Sequence, residues 1–162
     1  MSIYYFDADA QVKYFINEPG SLWVRQLADE VDVDGDPLRA LFTIEISQVE
    51  VSAALSILRR SGRFGNRLHN RAFGNYLTFA QDRLELIAVD ANIIAEASAF
   101  AKTHPLKALD AIHLAAAIQL NRELTAKQMA LTLVSGDYQL LTAAEAEGLL
   151  TENPVDHDEE TG

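Results

Sequence analysis

Leu41-Phe42-Thr43-Ile44-Glu45-Ile46-Ser47-Gln48-Val49-Glu50-Val51-Ser52-Ala53-Ala54-Leu55-Ser56-Ile57-Leu58 changes its apolar period in the middle. Leu41 to Ile44 is a short β-prone run. Beyond Ser47 the apolar residues Val51, Ala54, Leu55 and Leu58 fall on one face of a helix. Ser47 is expected to cap that helix, Arg60 to lie near its end, and Ser61-Gly62 to stop it. A strand that runs straight into a helix is half of a βα unit.

The same alternation continues outward in both directions. Upstream, Ile3-Tyr4-Tyr5-Phe6 is a strand that ends at Asp7. A helix from about Ala10 to Asn17 follows, then a break at Glu18-Pro19-Gly20-Ser21 and a second helix from near Leu22. Downstream come a helix over Asn66–Gln81, a strand over Leu84–Val89, and a helix that Asp90 caps and that ends before His104-Pro105. Ala108 to Leu120 is an almost wholly apolar helix. Leu131–Val134 is a strand, a short helix follows Asp137, and Leu149-Leu150-Thr151 is a last edge strand. Strands alternating with helices predict an α/β domain: a mostly parallel sheet of four to five strands with helices on both faces. Ligands of such sheets gather beyond the carboxyl ends of the strands.

Composition bounds the chemistry. The 162 residues suit one domain, and 49% apolar with 23% charged residues is ordinary for a globular chain. No apolar run reaches the roughly 18 residues of a membrane helix, so no membrane partner is expected. The opening Met-Ser-Ile-Tyr-Tyr-Phe-Asp does not read as a secretory signal. Cysteine is absent, which excludes disulfides, thiolate metal sites and cysteine nucleophiles and points to a reducing cytoplasm. Net charge is −11, yet the window from Val51 to Gln81 holds Arg59, Arg60, Arg63, Arg67 and Arg71 and no acid. That strip suits a polyanion, an acidic partner segment, or simply a solvated helical face.

Four acids sit where strands end or just inside the following helices: Asp7, Glu50, Asp110 and Asp137. Each has a structural alternative. Asp7 and Asp137 could be helix caps. Ser47-Gln48-Val49-Glu50 fits a capping box, with the glutamate on the cap residue's own N–H. Asp110 is the exception, because a carboxylate within so apolar a helix is costly unless paired, at a helix N-terminus or on a cation. His113, one turn later, could pair with it or be a satisfied core histidine. Carboxylates gathered at one edge repel one another unless a cation lies between them. Without cysteine, the donors left suit a hard ion, Mg²⁺ or Mn²⁺, and such sites perform phosphoryl chemistry.

The segments Tyr5-Phe6-Asp7, Ser47 to Leu55, Ala108-Leu109-Asp110-Ala111-Ile112-His113-Leu114-Ala115 and Val134-Ser135-Gly136-Asp137 resemble a PIN domain. More narrowly they resemble the VapC toxins of type II toxin–antitoxin systems. The resemblance spans residues 1–154 and implies a three-layer α/β/α nuclease domain, with 155–162 left as an acidic, disordered tail. It implies a Mg²⁺- or Mn²⁺-dependent endoribonuclease with Asp7, Glu50, Asp110 and Asp137 as catalytic metal ligands. It also implies a structured RNA substrate such as tRNA or rRNA, a cognate VapB-like antitoxin and a homodimer. Ser135 matches a small hydroxyl residue before the last acid. Two positions depart from the pattern. Asp9 stands where Ser, Thr or Asn is common, as an extra ligand or a supporting acid, and Gly136 stands where a larger residue is common.

Two alternatives accompany this reading. Asp7-Ala8-Asp9 resembles the start of haloacid-dehalogenase-like phosphatases, although Ala10-Gln11 lacks the hydroxyl expected there. A PIN-like module that only docks a partner through its basic strip is the other.

Overall fold

The predicted strands pair in one sheet. The structure is a computed structural model and describes residues 1–161. In chain order the elements are β1 (Ser2–Phe6), α1 (Ala8–Phe15), α2 (Ser21–Asp29), β2 (Arg39–Ile44), α3 (Ser47–Arg60), α4 (Asn66–Arg83) and β3 (Leu84–Ile87). Then come α5 (Ala91–Thr103), α6 (Ala108–Thr125), β4 (Leu131–Val134), α7 (Tyr138–Ala146), β5 (Leu150–Glu152) and a 3₁₀ segment, Pro154–Thr161. The sheet order is β3-β2-β1-β4-β5, and every pairing is parallel. The expected α/β/α architecture is borne out. The order changes direction at β1, so the crevice at the carboxyl end of β1 is the natural ligand site.

Alternation along the strands sorts the core into layers. Ile3 and Tyr5 of β1 and Leu131 and Leu133 of β4 join the cluster formed with α5, α6 and α7. Phe6 and Val134 turn to the opposite face, where they meet Ala10, Val24, Leu27 and Phe79 of α1, α2 and α4. A third cluster, Val12, Val51, Leu55 and Tyr76, locks α1, α3 and α4 together. Helix α6 is so apolar because it is buried on most sides: Ala111, Leu114, Ala115, Ala116 and Ala117 are all at most 1% exposed.

Two expectations are corrected. Ser47 does not cap α3. It is the first helical residue, and its hydroxyl donates to the Ile44 carbonyl (2.8 Å) instead of accepting a helix amide. The capping box therefore never forms, and Glu50 is released for another partner. The acidic tail is also placed against the body over residues 155–158. The His157 ring stacks flat on Trp23, with centroids 4.2 Å apart, and the Gly20 N–H donates to the Asp158 carboxylate at 2.9 Å. Gly20 has a φ of 85°, and a Cβ there would stand 2.6 Å from Pro154 Cβ, so glycine lets the segment close on α2. The expectation for Gly162 lies outside the described residues.

Candidate active site at the carboxyl edge of the sheet

Asp7 follows the last residue of β1 and does two jobs. Its Oδ1 caps α1 by accepting the Ala10 N–H at 2.8 Å. Its Oδ2 accepts a short hydrogen bond from the Ser135 hydroxyl. The carboxyl is 4% exposed. Burial, then the charge of Asp9, pushes its pKa up to about 7, against the opposing pull of His113 and the two hydrogen bonds. The capping role foreseen for Asp7 is real and does not exclude a second one.

Asp137 likewise caps, with Oδ1 accepting from the Gln139 and Leu140 amides of α7. Its own N–H donates to Ser135 Oγ at 2.9 Å. Asp110, in the first turn of α6, is half-buried. Burial raises its pKa first, and the charges of Asp137 and Glu50 add to that, against His113 and Lys107. Asp9 is coupled to the same group, since its carboxyl feels Asp137. Asp7, Asp9, Glu50, Asp110 and Asp137 thus share one electrostatic neighbourhood although they come from four different helices and their caps.

Glu50 is held by His113 rather than by a capping box. His113 Nε2 lies 2.8 Å from Glu50 Oε1, and Nδ1 lies 2.8 Å from the Tyr5 hydroxyl. A carboxylate only accepts, so Nε2 carries the proton, and in the neutral ring Nδ1 accepts from the Tyr5 O–H. Burial raises the Tyr5 pKa far above its usual value, which keeps that hydroxyl a donor. His113 is therefore the satisfied core histidine of the two readings, and its partner is Glu50, not Asp110.

Sequence reasoning missed three contributors. Tyr5 is a core strand residue with a polar tip. Gln11 is fully buried, donating to the Phe6 and Asp7 carbonyls and to Thr43 Oγ1 and accepting from the Tyr76 hydroxyl. It ties α1 to β2 and α4, and so fixes the frame that carries Asp7. Lys13 is 7% exposed, with Nζ on Glu18 Oε1 (3.0 Å) and the Pro19 carbonyl (3.2 Å), and 3.9 Å from Asp9. A buried Gln or Lys among apolar neighbours is the only signal the sequence offered.

Five carboxylates against so few nearby cations favour a divalent ion, and the all-oxygen donor set fits Mg²⁺ or Mn²⁺. As the side chains lie, no three His, Asp or Glu groups among the described residues stand close enough to chelate one ion. Asp110 accepts no hydrogen bond from a described residue, unlike Asp7, Glu50 and Asp137.

The arginine strip lies elsewhere. Arg59 and Arg60 end α3, Arg63 is in the following turn, and Arg67 and Arg71 lie on α4. None forms an ion pair among the described residues. Arg63 and Arg71 rim a groove of about 370 Å³ lined by Phe15, Phe64 and Leu68. A second groove, which reaches Asp9, shares Ile16 and Leu58 with the first. Of the five acids, only Asp9 lines that second groove.

Comparison with known proteins places the chain in a family. The chain is 29% identical over 150 residues to Ribonuclease VapC47 of Mycobacterium tuberculosis, covering 93% of this chain and 96% of that protein. Among solved structures, FitAcB from Neisseria gonorrhoeae superimposes with a TM-score of 0.60 at 19% identity, over 93% of this chain and 97% of that one. VapBC2 from Rickettsia felis, bound to a DNA fragment from its promoter, gives 0.57 at 17%, over 93% and 98%. The PIN domain profile matches residues 4–146, and the chain belongs to the PIN domain family.

Proposed function

We infer that this chain is a metal-dependent endoribonuclease, the toxin of a type II toxin–antitoxin pair. What supports the reading is the gathering of acids from the ends of β1 and β4 and the first turns of α3 and α6 at one sheet edge. The match to a ribonuclease over nearly its whole length points the same way. Membership of the PIN family displaces the phosphatase alternative, and Asp9 is already engaged by a backbone amide rather than poised as an acid or base (2.9 Å).

Asp7, Glu50, Asp110 and Asp137 would hold Mg²⁺ or Mn²⁺. When bound, the ion supplies an acidified water and charge neutralisation at the scissile phosphate. The chain's own residues do the rest. Ser135 and the Ala10 amide orient the Asp7 carboxylate. His113, backed by Tyr5, orients Glu50. Asp137 is oriented by the first turn of α7. The products are 5′-phosphate and 3′-hydroxyl ends. Arg59, Arg60, Arg63, Arg67 and Arg71 attract the phosphate backbone of a structured RNA, tRNA or rRNA. A cognate VapB-like antitoxin is the partner that holds the toxin inactive, and the toxin acts as a homodimer.

The test is cleavage of total tRNA and rRNA with added Mg²⁺ or Mn²⁺, beside an Asp7→Asn protein purified identically. Metal-dependent cutting by the wild type alone is expected. Equal cutting by both proteins overturns the assignment of Asp7 and exposes a contaminating nuclease. No cutting of any RNA together with no metal binding favours the docking module.

A further inference from the structure

Asp9 and Gly136 touch each other. Asp9 Oδ2 accepts the Gly136 N–H at 2.9 Å across 127 residues of sequence. A Cβ built on Gly136 would stand 2.4 Å from that same oxygen and 3.3 Å from Lys13 Cε. The left-handed glycines of the described chain are Gly20, Gly35, Gly62 and Gly148, so Gly136 is not required by its backbone angle. What a Cβ there would displace is the end of the Asp9 side chain.

The turn between β4 and α7 is held from both sides of the β1–α1 junction. Ser135 gives its hydroxyl to Asp7, Gly136 gives its amide to Asp9, and Asp137 gives its amide to Ser135 Oγ. Asp7 and Asp9 thus grip consecutive residues of the segment that carries Asp137. Lys13 is a second, longer-range partner of Asp9: its amine lies 3.9 Å away and is also shared with Glu18 and the Pro19 carbonyl.

We propose that Asp9 and Gly136 form a latch in which Asp9 is a positioning residue that fixes the Asp137 carboxylate for metal binding, without itself being a ligand. The proposal rests on the metal-dependent reading above. Groups that orient a metal ligand typically change affinity ten- to a hundredfold when removed. Asn at position 9 keeps the acceptor oxygen, whereas Ala removes it.

The experiment is a cycle of Asp9→Ala, Gly136→Ala and the double variant, with Asp9→Asn beside them and circular dichroism as the folding control. Exchange of the Gly136 amide in wild type and Asp9→Ala, read by NMR with chelator and no RNA, tests the latch alone. Mn²⁺ affinity by calorimetry tests its consequence. Asp9→Ala is expected to speed that exchange at least about tenfold and to weaken Mn²⁺ binding about tenfold. Gly136→Ala, which displaces the Asp9 carboxylate, should weaken Mn²⁺ similarly, and the double variant should lose nothing more. Asp9→Asn should keep both readouts within about threefold of wild type. Unchanged Gly136 exchange in Asp9→Ala, or additive losses in the double variant, would overturn the latch. An Asp9→Asn variant as weak for Mn²⁺ as Asp9→Ala makes Asp9 a ligand and overturns the positioning role. If the wild type binds no Mn²⁺, the functional reading and the positioning role both fail, while the exchange data still decide whether the contact exists.

Discussion

The molecule carries two charge clusters built by opposite rules. At the carboxyl edge of the sheet, acids are buried or half-buried, and Asp7, Asp9, Glu50 and Asp137 are each held by named donors. Around the turn between α3 and α4, five arginines stand at the surface without ion pairs among the described residues. A fixed cluster concentrates like charge against solvation and strains toward protonation, as the raised pKa of Asp7 records. A loose cluster keeps its hydration and acts at a distance. Chemistry at one phosphate calls for the first, and capture of a long polyanion or partner calls for the second.

The contrast breaks most sharply at Asp7. Asp7→Asn should lower RNA cleavage about a thousandfold, the scale of several kcal/mol of charge stabilisation. Its melting temperature at pH 8 should not fall. Cleavage within tenfold of wild type would move the chemistry elsewhere.

The next effect is on stability. The folded pKa of Asp7, about 7, lies above its ordinary 3.8. The folded metal-free protein therefore holds a proton that the unfolded chain has released. Stability is fullest below about pH 4 and is lost as pH rises to about 7, by a few kcal/mol at about 1.4 kcal/mol per pKa unit. Denaturant melts across that window should show the decline for this group, and Asp7→Asn should flatten it. A wild-type slope that survives in Asp7→Asn would assign it to other groups.

His113→Leu should cost about 2–4 kcal/mol, because it strands the Tyr5 hydroxyl and a Glu50 oxygen. His113→Gln, whose amide can both donate to Glu50 and accept from Tyr5, should recover part of the loss in both stability and Mn²⁺ affinity. Equal damage from Leu and Gln would reduce His113 to a matter of volume.

The smallest effect belongs to the loose cluster. Arg63→Glu with Arg67→Glu should leave stability within about 0.5 kcal/mol. It should weaken RNA binding and lower the salt slope by about 0.7 per lost phosphate contact. Antitoxin binding measured on the same variant shows whether the strip serves both partners. An unchanged salt slope would mean a solvated face.

Much of this was legible in the chain itself. The change of period at Ser47 and its repeats along the sequence determined an α/β sheet, because helix and strand burial each impose a local spacing. The acids were legible as candidates because strand ends and helix starts are local features too. Sequence could not decide between cap and site for Asp7 and Asp137, and the structure makes both of them caps. It suggested a capping box at Ser47–Glu50 that does not form. It could not pair Tyr5 with His113 across 108 residues, Glu50 with His113 across 63, or Asp9 with Gly136 across 127. Those contacts depend on how α6 packs on β1 and α3, and on β1 and β4 lying side by side in the sheet. Pattern along a chain carries information about which face is buried. Only closing the sheet decides which polar tips meet within it.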